Sequence, residues 1–138
     1  MNYSPEITGI GKYTGEMAKY LAEQNYNVQV LTGFPYYPEW KIKGGYAGYR
    51  FQKEHLDGVS VLRCPLYVPK KITTFYRIMQ DLSFFISSFF ASIFILSKKN
   101  KFDFIVSVSP SIFTGINGIW LKYWNREAKL IYHIQDLQ

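Results

Sequence analysis

Large apolar residues recur at three- and four-residue steps through Ile10, Tyr13, Met17 and Leu21, the spacing of one face of an amphipathic helix. The stretch before it, Met1 to Gly11, contains Pro5, Gly9 and Gly11 and reads as a loop; Asn25 is a suitable stop. Val28–Thr32 has strand character and is closed by Gly33, and Phe34–Lys43 holds two prolines and reads as loop. Asp57-Gly58 stands between His55-Leu56 and Val59-Ser60-Val61-Leu62, which is a hairpin signal. Thr73 or Thr74 can cap a long helix running to Ser97, with Lys98, Lys99 and Lys101 at its end, where cations suit the helix dipole. Phe102–Val108 is almost continuously apolar, as in a strand covered on both faces. Ser109 then caps a helix with Pro110 at its first position, and Ile112, Ile116, Ile119, Trp120 and Tyr123 carry the helical spacing. Lys129–Ile134 is the last strand.

Strands alternating with helices predict an α/β class, a mostly parallel sheet with helices on both faces. A glycine-rich loop opening a helix normally follows a strand. Here Met1 begins at the loop itself, so the expectation is a sheet lacking its first, central strand, within one domain over residues 1–138 that is incomplete at both ends.

Composition narrows the classes. With 48% hydrophobic and 19% charged residues the chain can bury a core and is not of disordered type. A net charge of +6 favours nucleotide phosphates, nucleic acid or anionic lipid without choosing among them. The single Cys64 excludes an internal disulfide framework and suits a reducing cytoplasm. No basic region followed by an apolar run marks a signal peptide at the N-terminus. Leu82–Ser97 carries no charge, but it is shorter than the roughly 20 apolar residues of a bilayer span and has Ser83, Ser87, Ser88 and Ser92 inside it. A helix buried against the sheet is the leading reading. A transmembrane span is the lesser one, and a third is a Phe-rich face at a membrane surface beside Lys98, Lys99 and Lys101, joined by Lys70, Lys71 and Arg77.

Two places carry candidate chemistry. Gly9 and Gly11 let backbone N–H groups approach a phosphate at a helix N-terminus, with Lys12 as an added point charge. The spacing through Gly15 is one residue longer than the dinucleotide fingerprint, and an ordinary loop-to-helix turn would look the same. His133 and Asp136 lie at the C-terminal end of the last strand, where ligands of open α/β sheets gather. An imidazole there can bond a sugar hydroxyl or carry a proton near neutral pH. The alternative is a core histidine and an aspartate capping a turn.

The stretch NYSPEITGIGKYTGEMAKYLAEQNYNVQVLTGFPYYPEWK, from Asn2 to Lys41, resembles the start of retaining glycosyltransferases of family 4, in the colanic-acid and O-antigen branch. The likeness continues through Val61–Pro69, Ser107–Pro110 and His133–Leu137. The resemblance implies the Rossmann-like N-terminal half of a GT-B fold. It implies transfer of a hexosyl-type sugar with retention, from a GDP- or UDP-linked donor to a polysaccharide or lipid-linked precursor. It further implies no metal, no cofactor beyond the nucleotide sugar, no nucleic acid, and work in the cytoplasm with possible peripheral contact to the inner membrane face. Carried over by position, Gly9, Gly11 and Lys12 face the donor diphosphate. Glu6, Tyr37, Trp40 and Ser109 face the acceptor, and His133 and Asp136 are catalytic. Many relatives place His directly before this Asp; here that position is Gln135, and His133 lies two residues earlier on the same strand face. The donor-binding C-terminal domain would lie outside residues 1–138, so the isolated segment is expected to be inactive.

Two other readings share these residues. A dinucleotide-binding oxidoreductase needs an acid at the end of the second strand, where this chain has Thr32-Gly33-Phe34. A non-catalytic membrane-associated protein would rest on the Phe-rich helix.

Overall fold

The computed structural model describes residues 1–97, 101–109 and 111–135, with Lys98, Lys99, Pro110 and Asp136 among the positions outside them. Elements follow in the order α1 (Gly9–Glu23), β1 (Gln29–Gly33), β2 (Gln52–Leu56), β3 (Val59–Cys64), α2 (Thr74–Ser97), β4 (Phe104–Val108), α3 (Ile112–Trp124) and β5 (Lys129–His133). The class is mixed α/β. β1 runs parallel to β3, β2 runs antiparallel to β3, and β4 pairs in parallel with β5 as a separate two-stranded sheet. The hairpin falls where the sequence puts it: Asp57 and Gly58 both take positive φ, 50° and 79°, as a tight two-residue turn requires.

The three-stranded sheet has a helix on each face. Val59 and Val61 of β3 point to α1 and pack with Tyr3, Ala18, Val30 and Leu56. Cys64 points the other way, to Phe84 and Ala91 of α2, with Leu31 and Leu62. Each fully buried valine of this kind stabilises the fold by about 1.5–3 kcal/mol. Burial also pushes the Cys64 thiol up to about 12, so it stays protonated.

The helix faces differ from those the apolar spacing predicts. α1 buries Gly11, Thr14, Gly15 and Ala18, whereas Tyr13 is exposed. A side chain at Gly11 would collide with Glu6, and one at Gly15 would press on Ser4 Cβ at 3.0 Å, so the small face is what lets the helix backbone close on the loop before it. α3 repeats the arrangement. Asn117 and Gly118 are buried, a methyl at Gly118 would strike the Ser107 hydroxyl, and Ile112, Ile116, Ile119 and Tyr123 face outward. β4 is covered on one face only: Ile105 and Ser107 are buried, Phe104 and Val106 exposed.

α2 is 24 residues long, because it begins at Thr74, well before the uncharged run. Thr74–Ile95 is long and apolar enough to cross a membrane by length and composition, yet it is integrated into the fold along one side. Ser83 Oγ accepts from the Tyr67 amide at 2.9 Å, and Ser87 Oγ donates to the Pro65 carbonyl at 2.7 Å. Asn117 Nδ2 donates to Ser88 Oγ at 2.6 Å, and Phe85 stacks on Phe113 and Phe89 on Trp120, which joins α2 to α3.

Candidate functional site

The turn into α1 begins with Thr8 in extended conformation, followed by Gly9 at φ +59°. A side chain at Gly9 would be strained by about 1–2 kcal/mol. This turn and the tip of β5 line one cleft of about 450 Å³, bordered by Gly9, Ile10, Tyr13, His133 and Gln135. The first N–H groups of a helix lack intrahelical partners and carry positive partial charge, so this wall suits an anion. On the opposite wall His133 brings an imidazole, and Gln135 brings a buried Oε1 without a hydrogen-bond partner among the described residues. The strand tips are held together by the Ser109 amide, which donates to the His133 carbonyl at 2.9 Å. A cleft with backbone donors on one side and an imidazole and amide on the other can bind a phosphate beside a hydroxyl-rich group.

Several residues expected at such a site do something else. Glu6 is 3% exposed and turned inward: Oε1 accepts from the Tyr36 and Tyr37 amides, both at 3.0 Å, and Oε2 from Asn2 Nδ2 at 2.9 Å. Its carboxylate fastens the Pro35–Pro38 loop to the first loop and does not face an acceptor. Gly11 serves that packing, since a methyl there would stand 2.6 Å from Glu6 Oε2. Lys12 lies on the surface, 3.8 Å from Glu16 and 5.9 Å from the Tyr13 ring centroid, and is not among the cleft residues. Trp40 takes φ +52° and lies edge-on to Tyr36, with the Arg77 guanidinium over its ring, so it anchors the loop. Burial raises the Tyr36 hydroxyl well above its ordinary value. Tyr37 is half-exposed, with its ring edge nearest to Gly9, and borders the turn. Ser109 is buried, and Ser111 is the capping residue of α3, because the helix starts at Ile112. Asp136 falls outside the described residues.

Ile10, Tyr13 and Gln135 line the cleft although the sequence singled out none of them for it. Tyr13 carried the spacing of a core position, and only the small face of α1 shows why it turns outward. Gln135 was noticeable only as the residue standing where relatives have histidine.

Beneath the turn, Arg63 is fully buried and ties four segments together. Its Nε donates to Glu54 Oε1 at 2.6 Å, and its other nitrogens reach the Gly33 carbonyl at 3.4 Å and the Ser4 carbonyl. The guanidinium lies between the Tyr3 and Tyr46 rings, and Tyr46 donates to Glu54 at 2.9 Å. The pair is satisfied on all sides, which is what a buried charge requires. Among the described residues, no group of three His, Cys, Asp or Glu is arranged to hold a metal ion.

The glycosyl transferase 4-like domain family matches residues 8–138. The chain is 43% identical over all its 138 residues to WcaI of Escherichia coli (strain K12), a protein named for colanic acid biosynthesis glycosyl transfer. It spans 33% of that relative's length. No solved structure matches it.

Proposed function

The chain belongs to the glycosyl transferase 4-like family, and from that membership we propose that its protein moves a hexosyl-type sugar from a nucleotide-diphosphate donor onto a polysaccharide or lipid-linked precursor. The observation that supports this reading is the meeting of the Gly9 turn with His133 and Gln135 across one cleft. In this reading Gly9 and the first amides of α1 face the diphosphate, through their N–H groups and the helix dipole. His133 faces the sugar or acceptor hydroxyl, with Asp136 close by in sequence, and Tyr37 borders the acceptor side. Residues 1–138 form the acceptor-side domain, and a further domain supplies the nucleotide-binding half. The donor is GDP- or UDP-linked, configuration is retained, and neither metal nor further cofactor takes part. The work is cytoplasmic, on a colanic-acid-type or O-antigen precursor. The 43% identity to a relative named for colanic acid biosynthesis supports that substrate class.

The test uses the full-length protein with GDP- and UDP-sugars and a lipid-linked acceptor. Release of nucleoside diphosphate and the anomeric coupling of the product are followed by NMR. The reading requires release with one donor class, a product of unchanged anomeric configuration, and no turnover by residues 1–138 alone. Absence of release with every donor overturns the transfer reading, and turnover by the isolated segment overturns the two-domain assignment. The oxidoreductase alternative would show instead as NADH binding; Gly33, at the position its acid would need, pairs with the Met1 carbonyl at 2.9 Å.

A further inference from the structure

One buried side chain, Glu6, ties the segment leading into the Gly9 turn to the loop after β1. It stands three residues before Gly9, and its own amide donates to the Tyr3 carbonyl at 3.3 Å. Its carboxylate reaches partners 30 and 31 residues away, where Oε1 accepts from the Tyr36 and Tyr37 amides, both at 3.0 Å. Oε2 accepts from Asn2 Nδ2 at 2.9 Å, and the Asn2 amide also bonds the Tyr36 hydroxyl. No cation among the described residues pairs with this carboxylate. A buried charge is costly unless hydrogen bonds satisfy it. The two segments therefore cannot part without stranding an anion, and bonds to an ionised acceptor are about twice as strong as neutral ones.

What the carboxylate fixes is the place of Tyr37. The Tyr37 amide is bonded to Glu6, and its ring edge lies 3.8 Å from where a methyl on Gly9 would stand. Phe34, Pro35 and Tyr36 are buried, whereas Tyr37, Pro38 and Glu39 are exposed, so Tyr37 is where the loop passes from core to surface. A fixed amide at that point sets the gap between the ring and the turn. The other side of the gap is fixed to the same residue, because a methyl on Gly11 would stand only 2.7 Å from Glu6 Cβ. The start of α1, the carboxylate and the Tyr37 backbone thus hold one another in register.

We infer that Glu6 is a positioning residue for the acceptor: through the Tyr37 amide it sets how far the Tyr37 ring stands from the Gly9 turn, and so where an acceptor rests relative to the donor diphosphate. This rests on the sugar-transfer reading, in which the Gly9 amides face the diphosphate and Tyr37 borders the acceptor side. The carboxylate itself touches neither substrate; it is turned inward and its oxygens are occupied by Tyr36, Tyr37 and Asn2.

Glu6→Asp keeps the charge and shortens the arm by one C–C bond, about 1.5 Å. Its bonds persist only if the Tyr37 backbone shifts by a comparable distance, and a misplacement of about 1 Å can cost 10²-fold. Glu6→Gln keeps the arm length, and its one carbonyl oxygen has two lone pairs, enough for both amides. The assay uses the full-length protein, the nucleotide sugar it turns over and a polyprenyl diphosphate-linked monosaccharide as acceptor. Glu6→Asp should lower kcat/KM for the acceptor roughly 10²-fold, while KM for the donor and its hydrolysis by water without acceptor stay unchanged. Glu6→Gln should bring the acceptor value back close to that of the unaltered protein. In a Tyr37→Ala background Glu6→Asp should cause no further loss, because the side chain it places is gone. If Glu6→Asp does not fold, Asn2→Ala, which removes only the bond to Oε2, replaces it in the same cycle with a smaller loss of the same pattern. Hydrogen exchange reads the tie without turnover: the Tyr36 and Tyr37 amides should be protected as β1 is. Equal losses in donor hydrolysis and in transfer, a Gln variant as poor as the Asp variant, full additivity with Tyr37→Ala, or an unprotected Tyr37 amide each overturns this inference and leaves sugar transfer standing. Absence of transfer by the unaltered protein overturns the sugar-transfer reading and this inference with it.

Discussion

Replacing Gly11 by alanine sets two effects of opposite sign against each other. Inside a helix, alanine is more favourable than glycine by about 1 kcal/mol, so propensity alone predicts a more stable protein. The added methyl, however, would stand 2.6 Å from Glu6 Oε2 and 2.7 Å from Glu6 Cβ. Both Cβ atoms are fixed to backbone, so no rotamer change relieves the second contact. Either α1 moves away from the loop or Glu6 is driven off its bonds to the Tyr36 and Tyr37 amides. Over-packing of this kind costs about 1–3 kcal/mol, and each hydrogen bond lost to a charged group about 1.5–3 kcal/mol. With one such bond lost, and set against the helix gain, the net loss is about 1.5–5 kcal/mol. Urea unfolding followed by far-ultraviolet circular dichroism measures it, with Gly44→Ala as the control, because a methyl at Gly44 meets nothing within 4 Å. A midpoint for Gly11→Ala equal to or above that of the unaltered protein would refute the close-approach reasoning.

Three other outcomes are expected. Arg63→Met leaves Glu54 without its partner and should cost about 3–5 kcal/mol in the same unfolding assay. Burial raises the Asp81 carboxyl above its ordinary 3.8, so the folded state holds that proton more tightly than the unfolded chain and stability falls as pH rises through the raised value. Asp81→Asn should therefore melt higher than the unaltered protein at neutral pH, and calorimetry should find that advantage shrinking as pH falls toward 3.8. His133→Ala should slow sugar transfer by the full-length protein by about 10²-fold, the lower end for a proton-carrying group, with an unchanged melting temperature.

The order of elements and their approximate limits were legible, because helix spacing, paired prolines and the Asp57-Gly58 turn are local signals. The helix faces were not. Ile10, Tyr13, Met17 and Leu21 carry a sound period, but burial in α1 follows Gly11, Thr14, Gly15 and Ala18, since the backbone itself packs against the loop. Large side chains announce themselves in a sequence, and a close backbone approach does so only through small ones. The same inversion in α3 turns Ile112, Ile116 and Ile119 outward. That Gly9 and His133 would lie at a helix start and a strand end was legible, and both border the cleft. The inward turn of Glu6 was not, because its partners are backbone amides some 30 residues away.

Arg63 has a dynamic consequence. It bonds the first loop at Ser4, the end of β1 at Gly33 and the hairpin at Glu54, so none of these segments can detach without stranding a guanidinium away from water. The loop that leads to Gly9 is thus no independent flap. The Glu6 amide, which donates to the Tyr3 carbonyl at 3.3 Å, should exchange with deuterium as slowly as the amides of β3, in one cooperative unit, which makes this side of the cleft a fixed jaw.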